Sequence, residues 1–203
     1  MDQFKIQPII DAATSELVAL EVLAREPAPL HDPAAMRDID LAALRYAALL
    51  RRQLAVRVHS NIEYSTILDA WAEVRPYAAS GVVLELVERK AALKRARAAI
   101  DVLVAINEWR QGGGRIAFDD VSMRDTQILA MIGATHPDIV KVESANGIND
   151  LRVLGNGARV VVERIETRQQ AESARAAGAD ELQGFYIDRL NTKLLGDSVM
   201  LVE

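Results

Sequence analysis

Short apolar runs rich in β-branched residues alternate with longer segments whose apolar residues recur at helical spacing along most of the chain. The clearest helices are predicted at Ala34–Gln53, Ala91–Gln111 and Thr167–Ala177. Thr167 and Gln170 form a predicted capping box, and Gly178 follows that helix. The pattern predicts eight strands: Phe4–Ile10, Leu17–Leu23, Ala55–Ser60, Val82–Val87, Arg115–Asp119, Ile139–Val142, Arg159–Val162 and Glu181–Tyr186.

The connection between the first two strands lacks a helix. Asp11–Glu16 is turn-like and too short for a parallel crossover, so these strands should pair antiparallel. The rest of the chain has a βα rhythm, and eight strands in 203 residues favour a closed barrel over an open doubly wound sheet. We therefore expect an α/β fold, a modified TIM (β/α)8 barrel with an antiparallel first strand pair. Such barrels carry their chemistry at the carboxyl ends of the strands.

Almost every predicted strand carries a polar residue within it or just after it. An unpaired carboxylate is costly to bury, so acids are unusual in apolar strands. If the barrel closes, these side chains converge on one pocket, where several carboxylates must take up protons or bind cations. The set comprises Glu21, Asn61, Glu85, Asp119, Asp120, Lys141, Glu163 and Gln183.

Two adjacent aspartates end the fifth predicted strand. One interpretation is that Asp119 and Asp120 cap the next helix. The other is a metal site, which Asp120 can join only if the strand has ended and the loop redirects its side chain. His59 has no partner histidine at ligand spacing and is predicted to be a packed strand residue. Oxygen ligands alone suit Mg²⁺ or Mn²⁺, and two such ions are common machinery for phosphodiester hydrolysis.

Composition limits the classes of binding partner that we expect. The formal net charge of −5 argues against nucleic-acid polymers and anionic lipid as general partners. There are no cysteines, which excludes disulfides and thiolate metal sites and is compatible with a reducing cytoplasm. The first residues lack the features of a signal peptide, and no apolar run reaches the length of a membrane helix. We expect a cytoplasmic chain that makes no membrane contact of its own.

Eight ordered motifs resemble those of the EAL domain family of cyclic di-GMP phosphodiesterases. The resemblance covers nearly the whole chain, so residues 1–203 are expected to form a single EAL-type barrel domain. The motifs are IQPIID at Ile6–Asp11, EVLAR at Glu21–Arg25, VHSN at Val58–Asn61, LELVE at Leu84–Glu88, FDD at Phe118–Asp120, DIVKVE at Asp138–Glu143, VVERIET at Val161–Thr167 and LQGFY at Leu182–Tyr186.

The resemblance implies metal-dependent hydrolysis of cyclic di-GMP to linear pGpG, in bacterial second-messenger signalling. It implies that Lys141 positions the attacking water or the phosphate, and that Gln183 and Glu166 orient the water around the metal ions. Arg25 would reach a phosphate of the nucleotide, and Glu88 would steady the loop after the fifth strand. The implied metal residues are Glu21, Asn61, Glu85, Asp119, Asp120 and Glu163.

Several positions depart from the family pattern. The segment Val121–Gln127 lacks the two glycines that the family carries after its aspartate pair, and in the family this loop supports the second metal site and the dimer contact. Glu143 replaces an aspartate, and Arg164 replaces a glycine between two glutamates. Glu26–Met36 is shorter than the corresponding family segment.

Two functions therefore stay open. The retained ligands favour a working phosphodiesterase with two Mg²⁺ or Mn²⁺ ions. The departures favour a catalytically degenerate EAL domain that serves as a cyclic di-GMP receptor or binds a protein partner. A homodimer and an additional sensory domain are expected from the resemblance, although the altered loop lies where the family commonly pairs.

Overall fold

The fold is that of a computed structural model, which describes residues 3–26, 32–87, 96–122, 126–143 and 157–195. Eight strands close into one barrel in sequence order. The first strand pairs antiparallel with both the second and the eighth, and all other neighbours are parallel. The strands are β1 Phe4–Asp11, β2 Leu17–Ala24, β3 Arg57–Glu63, β4 Val82–Val87, β5 Arg115–Phe118, β6 Ile139–Glu143, β7 Arg159–Glu163 and β8 Glu181–Gln183. The predicted modified TIM barrel with an antiparallel first pair is confirmed.

Helices cover the outside of the barrel. They are α1 Pro33–Gln53, α2 Tyr64–Val74, α3 Ala96–Gln111, α4 Thr126–Thr135, α5 Arg168–Ala176 and α6 Phe185–Leu195, with a 3-10 turn at Arg75–Tyr77. A large apolar cluster fills the layer between the strands and these helices. Within it the fully buried indole of Trp109 donates from Nε1 to the Arg115 carbonyl oxygen, 3.0 Å away. None of the described helices has the length and apolarity to cross a membrane.

Two strands differ from their predicted bounds by more than one residue. The third strand runs from Arg57 to Glu63, later than the predicted Ala55–Ser60, and therefore includes Asn61. The eighth strand ends at Gln183, and the next helix begins at Phe185. Gly184 separates them and adopts a φ of 142°. A glycine is required here, because an added β-carbon would lie 2.3 Å from the Ile165 backbone nitrogen. The aromatic residues after this glycine favour a strand by composition, but the chain has already turned.

Alternate residues of each strand point into the barrel and form layers. One interior layer contains six apolar residues, one from each strand except β3 and β8: Ile9, Ala19, Val83, Ala117, Ile139 and Val161. On the amino-terminal side of this layer, the buried Glu181 carboxylate accepts from Arg57 at 2.6 Å and from Arg159 at 2.5 Å. On the carboxyl-terminal side lie the polar residues of the candidate site. The apolar layer thus separates the ion pairs of Glu181 at one end of the barrel from the candidate site at the other end.

The predicted capping box of α5 is present. The Thr167 hydroxyl accepts from the Gln170 backbone N–H, and the Gln170 side chain accepts from the Thr167 N–H at 2.9 Å. The predicted end of the helix is also confirmed, because Gly178 adopts a φ of 92° just after it.

Replacing Thr167 by Ala should lower the free energy of unfolding by about 1 kcal/mol, because it removes an acceptor from the first turn of α5. Urea denaturation followed by circular dichroism measures this change. Thr167→Ser is the matched control, since it retains the hydroxyl and should stay close to the parent. Equal losses in the two variants would contradict a capping role.

Asp11 at the end of β1 should make stability depend on pH. Its Oδ1 accepts from the backbone N–H groups of Thr14 and Ala13, both at 2.9 Å. The Thr14 hydrogen bond lowers the pKa of Asp11, while partial burial opposes the change. The stabilisation is therefore present above the unfolded-state pKa, roughly pH 4, and is lost as pH falls through the lower folded-state pKa.

The variant Asp11→Asn tests the charge alone, because the amide oxygen still accepts hydrogen bonds. The parent should be more stable than the variant near neutral pH, and the difference should shrink on acidification. If the difference in the free energy of unfolding between parent and variant grew as pH fell, it would contradict a lowered pKa of Asp11 in the folded state.

Candidate functional site

A lysine side chain lies at the centre of the polar end of the barrel. Lys141 of β6 is fully buried, and its ammonium lies among four carboxylates contributed by four other strands or strand ends. The Nζ atom is 2.7 Å from Glu163, 2.8 Å from Glu85, 3.0 Å from Glu21 and 3.8 Å from Asp119. The sequence predicted that these side chains would converge, and the closed barrel brings them together.

The pKa values in this cluster reflect a shortage of positive charge. Burial alone would lower the pKa of Lys141, but the surrounding carboxylates raise it well above its usual range. Burial favours a higher pKa for Glu21, but its contacts with Lys141 and Gln183 lower it overall. Burial and the charge of Glu21 raise the pKa of Glu85 well above its usual range. Burial raises the pKa of Glu163 to about 8, despite its contact with Lys141. One lysine does not neutralise all these acids, so the cluster favours protons or further cations.

Three carboxylates are arranged so that they could share a metal ion. Asp119, Asp120 and Glu163 each offer an oxygen within 4.8 Å of the others. The strand β5 ends at Phe118, and Asp120 has a φ of 49°, so the chain turns and brings the second aspartate toward the first. Burial and the charge of Asp119 raise the pKa of Asp120. The redirection that a metal site required is present, whereas α4 begins only at Thr126, too far along the chain for either aspartate to cap it.

Two amide side chains are oriented by one carboxylate. Asn61 donates from Nδ2 to Glu21 Oε1 at 2.9 Å, and Gln183 donates from Nε2 to Glu21 Oε2. These contacts fix which end of each amide is the oxygen. Among the described residues, the buried Asn61 Oδ1 and Gln183 Oε1 atoms have no hydrogen-bond partner. Buried amide oxygens that receive no hydrogen bond are suited to a cation or to water.

Gln7 extends this network to a helix. Gln183 Nε2 donates to Gln7 Oε1, and Gln7 Nε2 donates to Asp188 Oδ2, both at 3.1 Å. Asp188 belongs to α6, so the chain of hydrogen bonds links Glu21 in the barrel to the last helix described. Sequence reasoning did not assign a role to Gln7. The available signal was a glutamine among the apolar residues Ile6, Pro8 and Ile9 of β1.

His59 also contacts the cluster. It is fully buried, as predicted for a packed strand residue, but its Nδ1 lies 2.6 Å from Glu85 Oε1. Burial and the nearby charge of Lys141 hold the pKa of His59 well below its usual range, so the ring is neutral. A neutral ring donates from Nδ1–H when Glu85 is ionised. If Glu85 is protonated, its hydroxyl donates to Nδ1 instead, so in either state His59 holds the Glu85 side chain in place. Strand composition alone did not reveal this contact.

A cavity of about 520 Å³ opens above the cluster. Glu85 and Lys141 lie beneath it, fully buried. Arg25 is exposed after β2 and does not line the cavity, and Glu88 lies outside the described residues, so the roles of both stay predictions. The predicted residues that line the cavity are Glu21, Asn61, Asp119, Asp120, Glu163, Glu166 and Gln183. Lys5, Gln7, Arg164, Phe185 and Asp188 complete most of its wall.

Two of the departures from the family pattern meet beside this cavity. Arg164 and Glu143, which differ from the family at two separate positions, pair with each other across the ends of β7 and β6. Arg164 has a φ of 53°, a conformation that costs a residue other than glycine roughly 1–2 kcal/mol. Val121 is buried, and its N–H donates to the Lys141 carbonyl oxygen at 3.0 Å, while residues 123–125 lie outside the described part of the chain.

Comparisons with known proteins give a result for structure only. No protein-family model matches the chain, and no curated protein matches it significantly in sequence. Solved EAL structures do match. The PaMucR phosphodiesterase in complex with c-di-GMP has a TM-score of 0.76 at 18% identity, over 91% of this chain and 94% of that one.

Two further structures are similar. The Bacillus subtilis YkuI protein, with an EAL domain in complex with substrate c-di-GMP and calcium, has a TM-score of 0.72 at 18% identity, over 96% of this chain and 60% of that one. The Klebsiella pneumoniae BlrP1 manganese and c-di-GMP complex has a TM-score of 0.68 at 21% identity, over 90% and 54%. The resemblance to EAL domains is thus confirmed at the level of the fold.

Replacing Lys141 by Met should lower the free energy of unfolding by about 3–5 kcal/mol in the presence of EDTA, because Glu21 and Glu85 would lose their buried counter-ion. Lys5→Met is the matched control. Lys5 is exposed at the cavity rim, so its replacement should change stability by less than about 0.5 kcal/mol. Denaturant unfolding of both variants measures the difference. A loss for Lys141→Met no larger than for the control would show that the ammonium does not hold the cluster together.

Proposed function

We propose that the chain binds cyclic di-GMP at this cavity and hydrolyses it to linear pGpG with two Mg²⁺ or Mn²⁺ ions. The observation that carries the proposal is the set of oxygen donors at the carboxyl end of an EAL-type barrel. It combines three carboxylates within 4.8 Å with two buried amide oxygens directed away from Glu21. Structural neighbours solved with c-di-GMP and calcium or manganese support the choice of ligand and of metal class.

The donor set fits hard divalent cations. All the available atoms are carboxylate or amide oxygens, which suit Mg²⁺ and Mn²⁺ and offer no thiolate for softer metals. The raised pKa values of Glu163 and Asp120 share two causes, burial first and then the negative charge of Asp119. Asp119, Asp120 and Glu163 would hold the cations, with Glu21, Asn61 and Glu85 completing or supporting the set. Such ions supply Lewis acidity toward a phosphoryl oxygen and lower the pKa of a neighbouring water.

The reaction is the addition of water to one phosphodiester of the ring. A bond forms between the water oxygen and phosphorus, the bond from phosphorus to the ribose 3′ oxygen breaks, and the linear product keeps a 5′ phosphate. A carboxylate of the cluster takes the proton from water, and the departing oxygen gains one. The chain positions the reactants through Glu21, which orients the Gln183 amide, while Lys141 offsets part of the negative charge of the cluster.

A receptor without catalysis is the second candidate. One observation favours it: the Lys141 ammonium is enclosed by carboxylates and fully buried, so it does not line the cavity that a phosphate would enter. In that case the same donors would hold a cation and the nucleotide without turnover.

Hydrolysis of cyclic di-GMP with Mg²⁺ or Mn²⁺, followed by chromatography of pGpG, separates the two candidates when it is run beside calorimetric binding in Ca²⁺. Asp119→Asn should lower kcat at least about a hundredfold, which corresponds to about 2.7 kcal/mol of transition-state stabilisation. Asp38→Asn is the matched control, an exposed acid of α1. Its activity should equal that of the parent.

Four outcomes are distinct. Product that disappears with Asp119→Asn supports the phosphodiesterase. Binding without product supports the receptor, and the absence of both overturns the proposal. Unchanged hydrolysis by Asp119→Asn would refute the role assigned to that carboxylate.

A further inference from the structure

The cavity presents few cations to an anionic ligand. Its described wall contains six acids and only two basic side chains, Lys5 and Arg164. Lys141 is not a third, because it is fully buried beneath the cavity and engaged by carboxylates. The acids are Glu21, Asp119, Asp120, Glu163, Glu166 and Asp188. An incoming phosphate therefore depends strongly on the basic groups at the rim for attraction.

Arg164 is placed directly beside the acidic triad. It follows Glu163 at the end of β7, and its charge acts on Asp120 together with that of Glu143. Its side chain is 68% exposed, and Arg164 lines the cavity together with Asp119, Asp120 and Glu163. Its left-handed backbone conformation is one that a glycine would adopt without strain, and strain of this kind concentrates at ligand sites.

The partner of Arg164 is easily exchanged. Glu143 is 45% exposed, and ion pairs between exposed side chains contribute little to stability. A phosphate offers the guanidinium two oxygens in the geometry of a carboxylate, with charge-assisted hydrogen bonds. Glu143 thus occupies the same face of the guanidinium that a phosphate would use.

We propose that Arg164 is a phosphate-binding residue that exchanges Glu143 for a phosphodiester oxygen of the ligand, and that Glu143 is the competing anion that sets the affinity. The proposal rests on the proposed function for the identity of the ligand. It adds a specificity-determining pair, for anionic phosphodiesters, at two of the positions where this chain departs from the family pattern.

The two partners should have opposite effects on binding. Arg164→Gln should weaken the binding of cyclic di-GMP in Ca²⁺ about tenfold, because a charge-assisted contact is lost. Glu143→Gln should tighten it about threefold, because the competing carboxylate is removed. A purely structural ion pair would give effects of the same sign, since either variant breaks it. Arg164→Lys keeps the charge without the bidentate geometry and should lie between the parent and Arg164→Gln.

The matched control is the exposed pair Arg168 and Glu172 on α5, whose side chains are 79% and 56% exposed. Arg168→Gln and Glu172→Gln should leave the dissociation constant unchanged. Calorimetry at two salt concentrations adds a second readout, because screening should weaken parent binding more than that of Arg164→Gln. Circular dichroism of each variant shows whether it is folded.

The outcomes also separate this proposal from the function on which it rests. In one outcome the parent binds cyclic di-GMP while the affinities of Arg164→Gln and Glu143→Gln are both unchanged or both shifted in the same direction. That result overturns the role of Arg164 and leaves the cyclic di-GMP site intact. No binding by the folded parent overturns both.

Discussion

The buried ammonium of Lys141 is the charge on which the arrangement of the site depends. Carboxylates from β2, β4 and β7 and from the end of β5 approach it to within 3.8 Å, and no other cation reaches this depth among the described residues. The apolar layer below excludes water from that side, so the charges act on one another in a medium of low polarity. The barrel can bring so many acids together because the Lys141 amine lies between them. The acids whose charge it does not compensate make the cavity above the cluster attractive to cations.

The network around this lysine extends outward in two directions. Toward the strands, His59 steadies Glu85, and Glu21 orients Asn61 and Gln183. Toward the helices, Gln7 connects Gln183 to Asp188 on α6. Most of these donors and acceptors lie on strands, whose backbone is fixed by neighbours on both sides. Groups held in this way are more precisely placed than groups on loops, so the oxygen atoms of the candidate site keep fixed separations.

Much of this could be read from the sequence, because a polar residue in an apolar strand is costly and therefore informative. Glu21, Glu85 and Lys141 were identified on that basis, and the closed barrel brings them together. The end of β8 was misplaced because Phe185 and Tyr186 favour a strand, whereas the turn depends on the close approach of Gly184 to Ile165. The contacts between Gln7 and Asp188 and between Arg164 and Glu143 could not be inferred. Each joins residues whose distance depends on how the barrel closes, not on local pattern.

The reversed direction of β1 has a consequence for how this barrel can change. Its early residues, including Lys5 and Gln7, form part of the cavity wall where other barrels have a βα loop. Loops tolerate insertions and deletions, but a residue added to a strand shifts the register and turns its side chains to the opposite face. This wall can therefore diversify only by exchanging one side chain for another, while the wall formed by the segments after β5 and β7 is free to vary in length. Ligand preference in such barrels should therefore evolve by single substitutions in the wall formed by β1, and by changes of both sequence and length in the wall formed by the segments after β5 and β7.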